Sequence, residues 1–562
     1  ADHRTTEDDF LAPHPSRPRK TLQRIRSAYP PAVLGTYLLA GVIGSLFAIA
    51  VMIALRLLWG APTAPELVGE LILPRMSAGQ FVALLIRFQP YPKTGPLGLA
   101  LISQFVLGVL IAPVFLLAAR VREQRASRLP GKRGWLVAGA VALIMEVVAA
   151  ALFWPVLAAN PFGNPPGQAR LITLLSLLVT FAVYAAVSLV SAHLLLRAWG
   201  QTAATATSPT PAERQPSTED SAALPRYTRR RTLEAAGATV AVVGIGALAT
   251  NRLIQSYLAR SNLAYEGAPT PASLVSPITP AENFYVVSKN VIDPTVIADH
   301  WQLQLTGLIR KPITWTLAEF RALPSETRAI TLECISNGVG GHLMSTGQWR
   351  GTTLETLLAL GGGVAPNGKY VVFTSVDGYQ TGLPLADLLQ ARTLLAWQMN
   401  GAPLPDRHGY PVRVVVPGRY GEQSAKWVTR IEVTDVEVKG FYQSQGWSAA
   451  QLETTSRIDS PTRRAAHGEM TVTGIAFAGI RGIQAVEISA DGGATWHQAI
   501  LAPPLSDQTW VFWSWIWRPT APGSYTLLVR ATDGTGSVQT PIKRGTVPNG
   551  ATGWDTANVI VE

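Results

Sequence analysis

Cys334 is the only cysteine among 562 residues, and a lone thiol cannot close an intrachain disulfide. Three roles stay open for it: a small buried apolar residue, a reactive nucleophile, or a soft metal ligand. It lies in the stretch ITLECISNGVGGHLMSTGQWRG, residues 330–351. The apolar run 328–332 predicts a short strand, and Ser336-Asn337-Gly338 predicts the turn after it. The thiol therefore sits at a strand end on a glycine-rich loop, where backbone can approach a bound group closely. Two other ionisable residues stand out because they fall inside long apolar runs, Glu146 and His193. An acid in the middle of such a run is a functional candidate. His193 lies near the end of its run, where its ring can snorkel.

The elements around these residues are unusually apolar. Mean hydropathy is +0.20 with only 15% charged residues, which points to membrane segments. Runs at 33–59, 96–119, 135–159 and 171–196 are each long enough to cross a hydrocarbon core of about 30 Å as a helix. A fifth, 235–250 with an extension to 258, is shorter and rich in Gly and Ala. The stretch 67–88 is broken by Pro74, Arg75 and Arg87 and reads as an interfacial or re-entrant helix. Basic residues sort to one side: Arg17, Arg19, Lys20, Arg24 and Arg26 precede the first run, Arg120 to Arg133 fill the second loop, and Arg226 to Arg231 precede the fifth run. The loop 160–168 carries none. This alternation predicts a cytoplasmic N-terminus, five crossings and a C-terminal half outside the cytoplasm. It also accounts for the net charge of +11 without nucleic acid. A single cysteine excludes c-type haem attachment and a four-cysteine iron–sulfur cluster. His193 is the only histidine in the spanning runs, so no internal haem is expected, and electrons must come from or go to an external carrier, a cytochrome or a quinone-linked protein.

Several separated motifs then align with a known family. LECISN (332–337), GG (340–341) and GQWRG (347–351) resemble the cofactor cysteine loop of the sulfite oxidase family. LLAWQMNGAPL (394–404), HGYPVRVVVPG (408–418) and SAKW (424–427) resemble further segments of that family in the same order. ISADGGATW (488–496) is similar to the hairpin of its immunoglobulin-like dimerisation domain. The resemblance runs from about residue 277 onward. It implies a molybdenum-molybdopterin cofactor with Cys334 as the metal's thiolate ligand, since a soft sulfur donor suits that centre. It implies that Tyr285 and Val286 run past the pterin, that His408 and Thr374 contact it, and that Arg413 and Lys426, with Ser424 beside them, hold its phosphate. Tyr379 is implied near the metal and the substrate. One departure stands out: where the family carries arginine in C-x-x-N-R, Asn337 is followed by Gly338. The nearest cation-capable residues are His342 and Arg350, which disfavours sulfite and leaves room for a neutral oxide.

The expected architecture is multidomain: an α-helical transmembrane bundle, an α+β sulfite-oxidase-type molybdopterin domain, and an immunoglobulin-like β-sandwich. A basic N-terminus (1–32) leads into four membrane helices (33–199). A linker (200–234) carries TRRRTLE (228–234), which resembles an internal twin-arginine export signal. A fifth helix (235–258) and a tether (259–280) follow, then the cofactor domain (281–445) and the sandwich (446–562). Within the cofactor domain, strands are expected at 301–308, 313–315 and 370–376, and helices at 316–323, 353–360 and 384–390, with GLPL (382–385) and the HGYPVR stretch as loop edges. Beyond residue 471, alternating short strands with Gly/Asp turns predict the sandwich. The reading is a multi-pass protein of a bacterial inner membrane, in contact with lipid and acting on a small oxyanion or an S- or N-oxide by oxygen-atom transfer. A homodimer through the sandwich or a larger membrane complex is the assembly implied. The rival reading is an accessory, non-catalytic subunit of an electron-transfer complex that keeps the fold as an interaction module.

Overall fold

The computed structural model describes residues 31–88, 94–124, 127, 129–205, 244, 248, 251–255, 276–290 and 293–562. The basic N-terminus, the twin-arginine-like motif, most of the fifth apolar run and most of the tether lie outside the described residues. Among the described residues, four helices are long and apolar enough to cross a membrane: Val33–Trp59, Gly95–Ala118, Lys132–Val156 and Pro166–Ala198. The last belongs to a helix that continues to Thr205, past the expected start of the linker. The alanines of that extension favour helix.

The chain forms two compact units. The first takes Ala1–Met52, Ile102–Val148 and Leu177–Leu253. Its helices meet through small residues: a Cβ placed on Gly41 would lie 2.7 Å from the Ala112 Cβ, and the Tyr184 hydroxyl donates to the Gly108 carbonyl. Apolar helices pack this way where the surroundings are as apolar as their side chains. His193 is fully buried, with Nε2 3.1 Å from the Ser127 carbonyl oxygen. That burial replaces the snorkelling ring expected from the sequence. Glu146 Oε2 is buried without a hydrogen-bond partner among the described residues.

The second unit takes Ile53–Leu101, Ala149–Ser176 and Ile254–Glu562. One sheet runs in the order Ile313–Thr316, Gln302–Gly307, Val428–Thr434, Tyr370–Ser375, Gln380–Pro384. Another runs Glu326–Glu333, Met344–Thr353, Leu394–Met399, Ala402–Pro403, with Arg413–Val415 also paired to Leu394–Met399. Trp301, Phe320, Phe373, Leu395 and Val414 fill one core, and Phe284, Leu332 and Trp349 another. The short helices sit where predicted; Thr353, for example, caps Leu354–Leu360 by accepting from the Thr356 N–H at 3.1 Å. One expectation changes: Gly382 to Pro384 form part of a strand rather than a loop edge. The HGYPVR stretch is a loop edge as expected, ending where Arg413 opens a strand by pairing with Ala396. Residues 283–288 form no ladder; the Tyr285 N–H donates to the Ser345 hydroxyl at 3.2 Å.

From Thr455 the chain builds a sandwich of two sheets, four strands in the order Thr455–Ser460, Met470–Phe477, Val511–Trp517, Ile500–Leu501 facing five around Gly523–Asp533. Along Gly523–Asp533, Leu527, Val529 and Ala531 are fully buried at every second position, the period of a half-buried strand. The segment 64–87 is two helices, Ala64–Ile72 and Ala78–Arg87, interrupted at Pro74, which lacks the N–H to continue a helix. The first opens with a capping box in which the Thr63 N–H donates to Glu66 Oε2 at 2.7 Å and the Glu66 N–H to Thr63 Oγ1 at 3.3 Å. The break is bonded to the cofactor-domain turn at Phe441–Ser444: the Ala78 N–H donates to the Gln445 carbonyl at 2.8 Å, and Gln445 Nε2 to the Leu73 carbonyl at 3.1 Å.

Candidate functional site

The cysteine loop is fixed from both sides. Antiparallel register pairs Leu332 with Ser345 and Glu333 with Met344, and the Cys334 N–H continues it by donating to the Leu343 carbonyl at 2.9 Å. Asn337 then closes the turn: its Nδ2 donates to Glu333 Oε1 at 2.9 Å and its Oδ1 accepts from the Leu343 N–H at 2.9 Å. Arg457, on the first sandwich strand, donates to the Gly341 carbonyl at 2.7 Å. The thiol is buried, 2.9 Å from the Ser336 hydroxyl. Burial pushes it up to about 12, so the thiolate needs a cationic partner to form. Among the described residues no cluster of three or more His, Cys, Asp or Glu is arranged to hold a metal ion. A metal at Cys334 must therefore bring most of its ligands with it, as a dithiolene cofactor does.

Cys334 faces a continuous cavity of about 600 Å³. Tyr285, Val286 and Tyr379 line it with the thiol, and His408, Arg413, Ser424 and Lys426 line it as well. Thr374 is not on its wall; it sits opposite Gln380 in the sheet and accepts from Gln380 Nε2 at 3.2 Å. A strand side chain one position out of phase points to the other face. His342 and Arg350 are also absent from the cavity wall.

Arg413 is 5% exposed. Its guanidinium donates to the carbonyls of His408 at 3.3 Å and Ser424 at 3.1 Å and lies 5.0 Å from the Trp349 ring centre. No carboxylate pairs with it among the described residues. Burial pushes it down to about 10, still cationic at neutral pH. A buried cation held only by carbonyls is suited to a bound anion such as a phosphate. Gly409, at φ +104°, makes the crowding possible: a Cβ there would lie 3.0 Å from the Cβ atoms of both Arg413 and Lys426. Lys426 donates to the Arg407 carbonyl at 3.1 Å. Burial pushes His408 down to about 3, so its ring is neutral. It donates through Nε2 to the Ala281 carbonyl at 2.8 Å, leaving Nδ1 as an acceptor. The Tyr379 hydroxyl donates to the Glu422 carbonyl at 2.5 Å.

Sequence reasoning missed three cavity residues. Lys289, directly after the 283–288 segment, is buried and ion-paired with Glu70 and with Asp377, whose Oδ2 is 3.7 Å away; it also donates to the Asp377 carbonyl at 3.0 Å. Glu422 lies on the wall with both carboxyl oxygens shut off from solvent, and burial pushes it up to about 8. Trp447 also faces the cavity. A lysine inside an apolar stretch was a visible signal; the other two residues carried none.

The Oxidoreductase molybdopterin binding domain family matches residues 290–442, and the Mo-co oxidoreductase dimerisation domain family matches 448–544. The chain is 30% identical to a sulfite oxidase of Arabidopsis thaliana over 290 residues, 42% of this chain and 73% of that protein. It is 30% identical to a sulfite oxidase of Gallus gallus over 324 residues, 48% of this chain and 70% of that protein. Among solved structures, it is similar to the sulfane dehydrogenase SoxCD from Paracoccus pantotrophus, at 24% identity and a TM-score of 0.47, over 52% of this chain and 85% of that one. The cysteine loop and the buried cation suit a molybdopterin, and the sulfite oxidase of Arabidopsis thaliana, matched at 30% identity over 73% of its length, shows the family: the chain belongs to the sulfite oxidase family of molybdopterin oxidoreductases, and molybdopterin is its cofactor.

Proposed function

We propose that this oxidoreductase is anchored in a membrane by its apolar helices, works outside the cytoplasm, and moves an oxygen atom to or from a neutral sulfur or nitrogen oxide. The observation that carries the substrate class is the charge around the cavity. Arg407, Arg413 and Lys426 act together on His408, at the end suited to the phosphate. Tyr379, at the end where substrate would meet the metal, is bonded to Asp377 through its N–H at 3.1 Å and to the Glu422 carbonyl through its hydroxyl at 2.5 Å. Lys289 faces the cavity but is already paired with two carboxylates. Among the described residues a dianion such as sulfite thus meets no unpaired lysine or arginine at that end, and burying its charge without a cationic partner costs binding.

When bound, the molybdenum-pterin supplies the two-electron oxo chemistry. In this reading Cys334 ligates the metal, Tyr285 and Val286 flank the pterin, and His408 accepts a hydrogen bond from it through Nδ1. Arg413 and Lys426 hold the phosphate, with the Ser424 carbonyl accepting from Arg413 beside them. Tyr379 donates its proton to the Glu422 carbonyl and stands beside the substrate position. The sandwich pairs two copies, and the twin-arginine-like motif exports the loaded domain.

The test is a substrate comparison on purified, molybdenum-loaded protein. After chemical reduction, methionine sulfoxide or trimethylamine N-oxide should reoxidise the metal centre within seconds. Sulfite should reduce the oxidised centre at least ~100-fold less efficiently, about 2.7 kcal/mol of transition-state binding. Rapid reduction by sulfite with no response to any oxide would overturn the neutral-substrate reading.

A further inference from the structure

The cavity at Cys334 does not stop at the cofactor residues. It continues along the 64–87 segment, where Leu73, Met76, Phe81, Val82 and Leu84 line it, and reaches Pro96, Leu97 and Ala100. Those last three lie in the first turns of the helix Thr94–Ala118, whose body is long and apolar enough to cross a membrane. The far wall is aromatic. Tyr442 packs edge-on against Phe81 at 6.3 Å and against Trp447 at 6.5 Å between ring centres, and lies 5.9 Å from Tyr379. These rings connect the 64–87 segment to the residue beside the proposed metal site.

Two polar groups beside the aromatic wall, those of Trp447 and Glu422, are closed to solvent. Trp447 is 6% exposed, and its Nε1–H has no hydrogen-bond partner among the described residues. The carboxyl oxygens of Glu422 are likewise closed to solvent. A buried indole N–H left unpaired is unfavourable, so it is poised for an acceptor that a ligand brings. Small-molecule sites have this build, an apolar and aromatic chamber with a few convergent polar groups.

We propose that the chamber binds the ring of a lipid-soluble quinone, the electron carrier of this enzyme. A planar ring fits in the cavity against the wall that Phe81, Tyr442 and Trp447 form. One ring carbonyl accepts from Trp447 Nε1–H, and in the reduced form a ring hydroxyl donates to Glu422. The isoprenoid tail leaves past Val82 and Leu97 toward the membrane helix. Oxidising the quinol to the quinone releases two electrons and two protons; the electrons serve oxide reduction, which consumes two electrons and two protons and yields water. The inference rests on the membrane-anchored oxidoreductase reading above.

The experiment uses the full chain in lipid nanodiscs and a short-tailed decyl benzoquinone as probe, with binding read by quenching of tryptophan fluorescence. Saturable binding is expected. Val82→Trp, which fills the chamber, should raise Kd by at least tenfold, equal to ~1.4 kcal/mol. Trp447→Phe, which keeps a ring but removes the donor, should raise it about three- to tenfold, with quenching then read from the remaining tryptophans. Molybdenum content, measured on the same samples, should not change in either variant. Quenching that merely tracks lipid concentration, or that is the same in Val82→Trp, would overturn the proposal. So would an acyl chain of a phospholipid, detected by native mass spectrometry, that the probe does not displace. Loss of molybdenum from the wild-type protein would instead count against the oxidoreductase reading, and leaves the quinone titration interpretable by itself.

Discussion

Replacing Lys289 by methionine tests how the 64–87 segment is held over the cavity. The lysine side chain is 3% exposed, and its partners Glu70 and Asp377 are 22% and 8% exposed. Burial alone would lower the lysine's affinity for its proton, yet Glu70 and Asp377 outweigh that and hold it above its usual value. The charged triad is therefore favourable in place. Methionine keeps the volume but leaves two carboxylates facing each other without a cation. Removing one partner of a buried ion pair costs about 3–5 kcal/mol. Glu70 is the more exposed of the two acids, so the lower figure applies, ~3 kcal/mol, about a 150-fold shift in the undocking equilibrium. Hydrogen exchange of peptides covering Ala64–Ile72 should speed up by roughly that factor. Peptides from the sandwich strand Gly523–Asp533 should not change. Adding Glu70→Gln to Lys289→Met removes one stranded charge and should recover at least half of the loss. Exchange of the helix within twofold of wild type in the single variant would refute the idea that this triad docks the segment.

Further outcomes follow from the same geometry. Arg413→Ala should cut retained pterin by at least ~30-fold in affinity, because it removes a buried charged donor worth about 2–5 kcal/mol; pterin release measured by fluorescence after dialysis checks this. Trp349→Ala removes the ring beneath Arg413 and a fully buried side chain, and should lower stability by about 3–5 kcal/mol in a denaturant titration. His408 predicts a pH dependence. Its folded form gives up the proton down to about 3, while the unfolded form takes it up near 6.5. Stability from this group is complete above about 6.5 and is lost as pH falls from there toward 3, by at most ~1.4 kcal/mol per pH unit. The cofactor-free protein carrying His408→Gln should lose that slope in thermal midpoints recorded across this range. Replacing Arg229 and Arg230 by lysine keeps the positive charge but removes the guanidinium pair; protease accessibility in intact cells should then show the C-terminal domain retained inside.

Much of this site could be read in the sequence because its parts are local. Cys334 and Asn337 belong to one turn, and Gly409, Arg413 and Lys426 to two neighbouring segments, so their spacing carried the pattern. The apolar runs and the two-residue period of the sandwich were legible for the same reason. Thr374 was misplaced because a strand presents alternate residues to opposite faces, and a single position decides which face meets the cavity. The 64–87 segment was read as part of the membrane region from its composition. Its docking depends on Glu70 and Lys289, 219 residues apart, and on carbonyls of Leu73 and Pro74 that accept from Gln445 and Ser444. Nothing in the local pattern of either strand of sequence announces such pairs. Glu422 and Trp447 are ordinary residues until the fold closes their polar atoms away from water.

The central claim is that Cys334 binds the cofactor's metal within a cavity built by this chain. X-ray absorption at the molybdenum edge on the wild-type protein and on Cys334→Ser addresses it directly. The account predicts close to one molybdenum per chain in the wild type, with a sulfur shell that loses one sulfur in the serine variant while the pterin stays bound. An unchanged sulfur shell in Cys334→Ser, or a wild-type protein carrying far less than one molybdenum when made in cells that synthesise the cofactor, would contradict it.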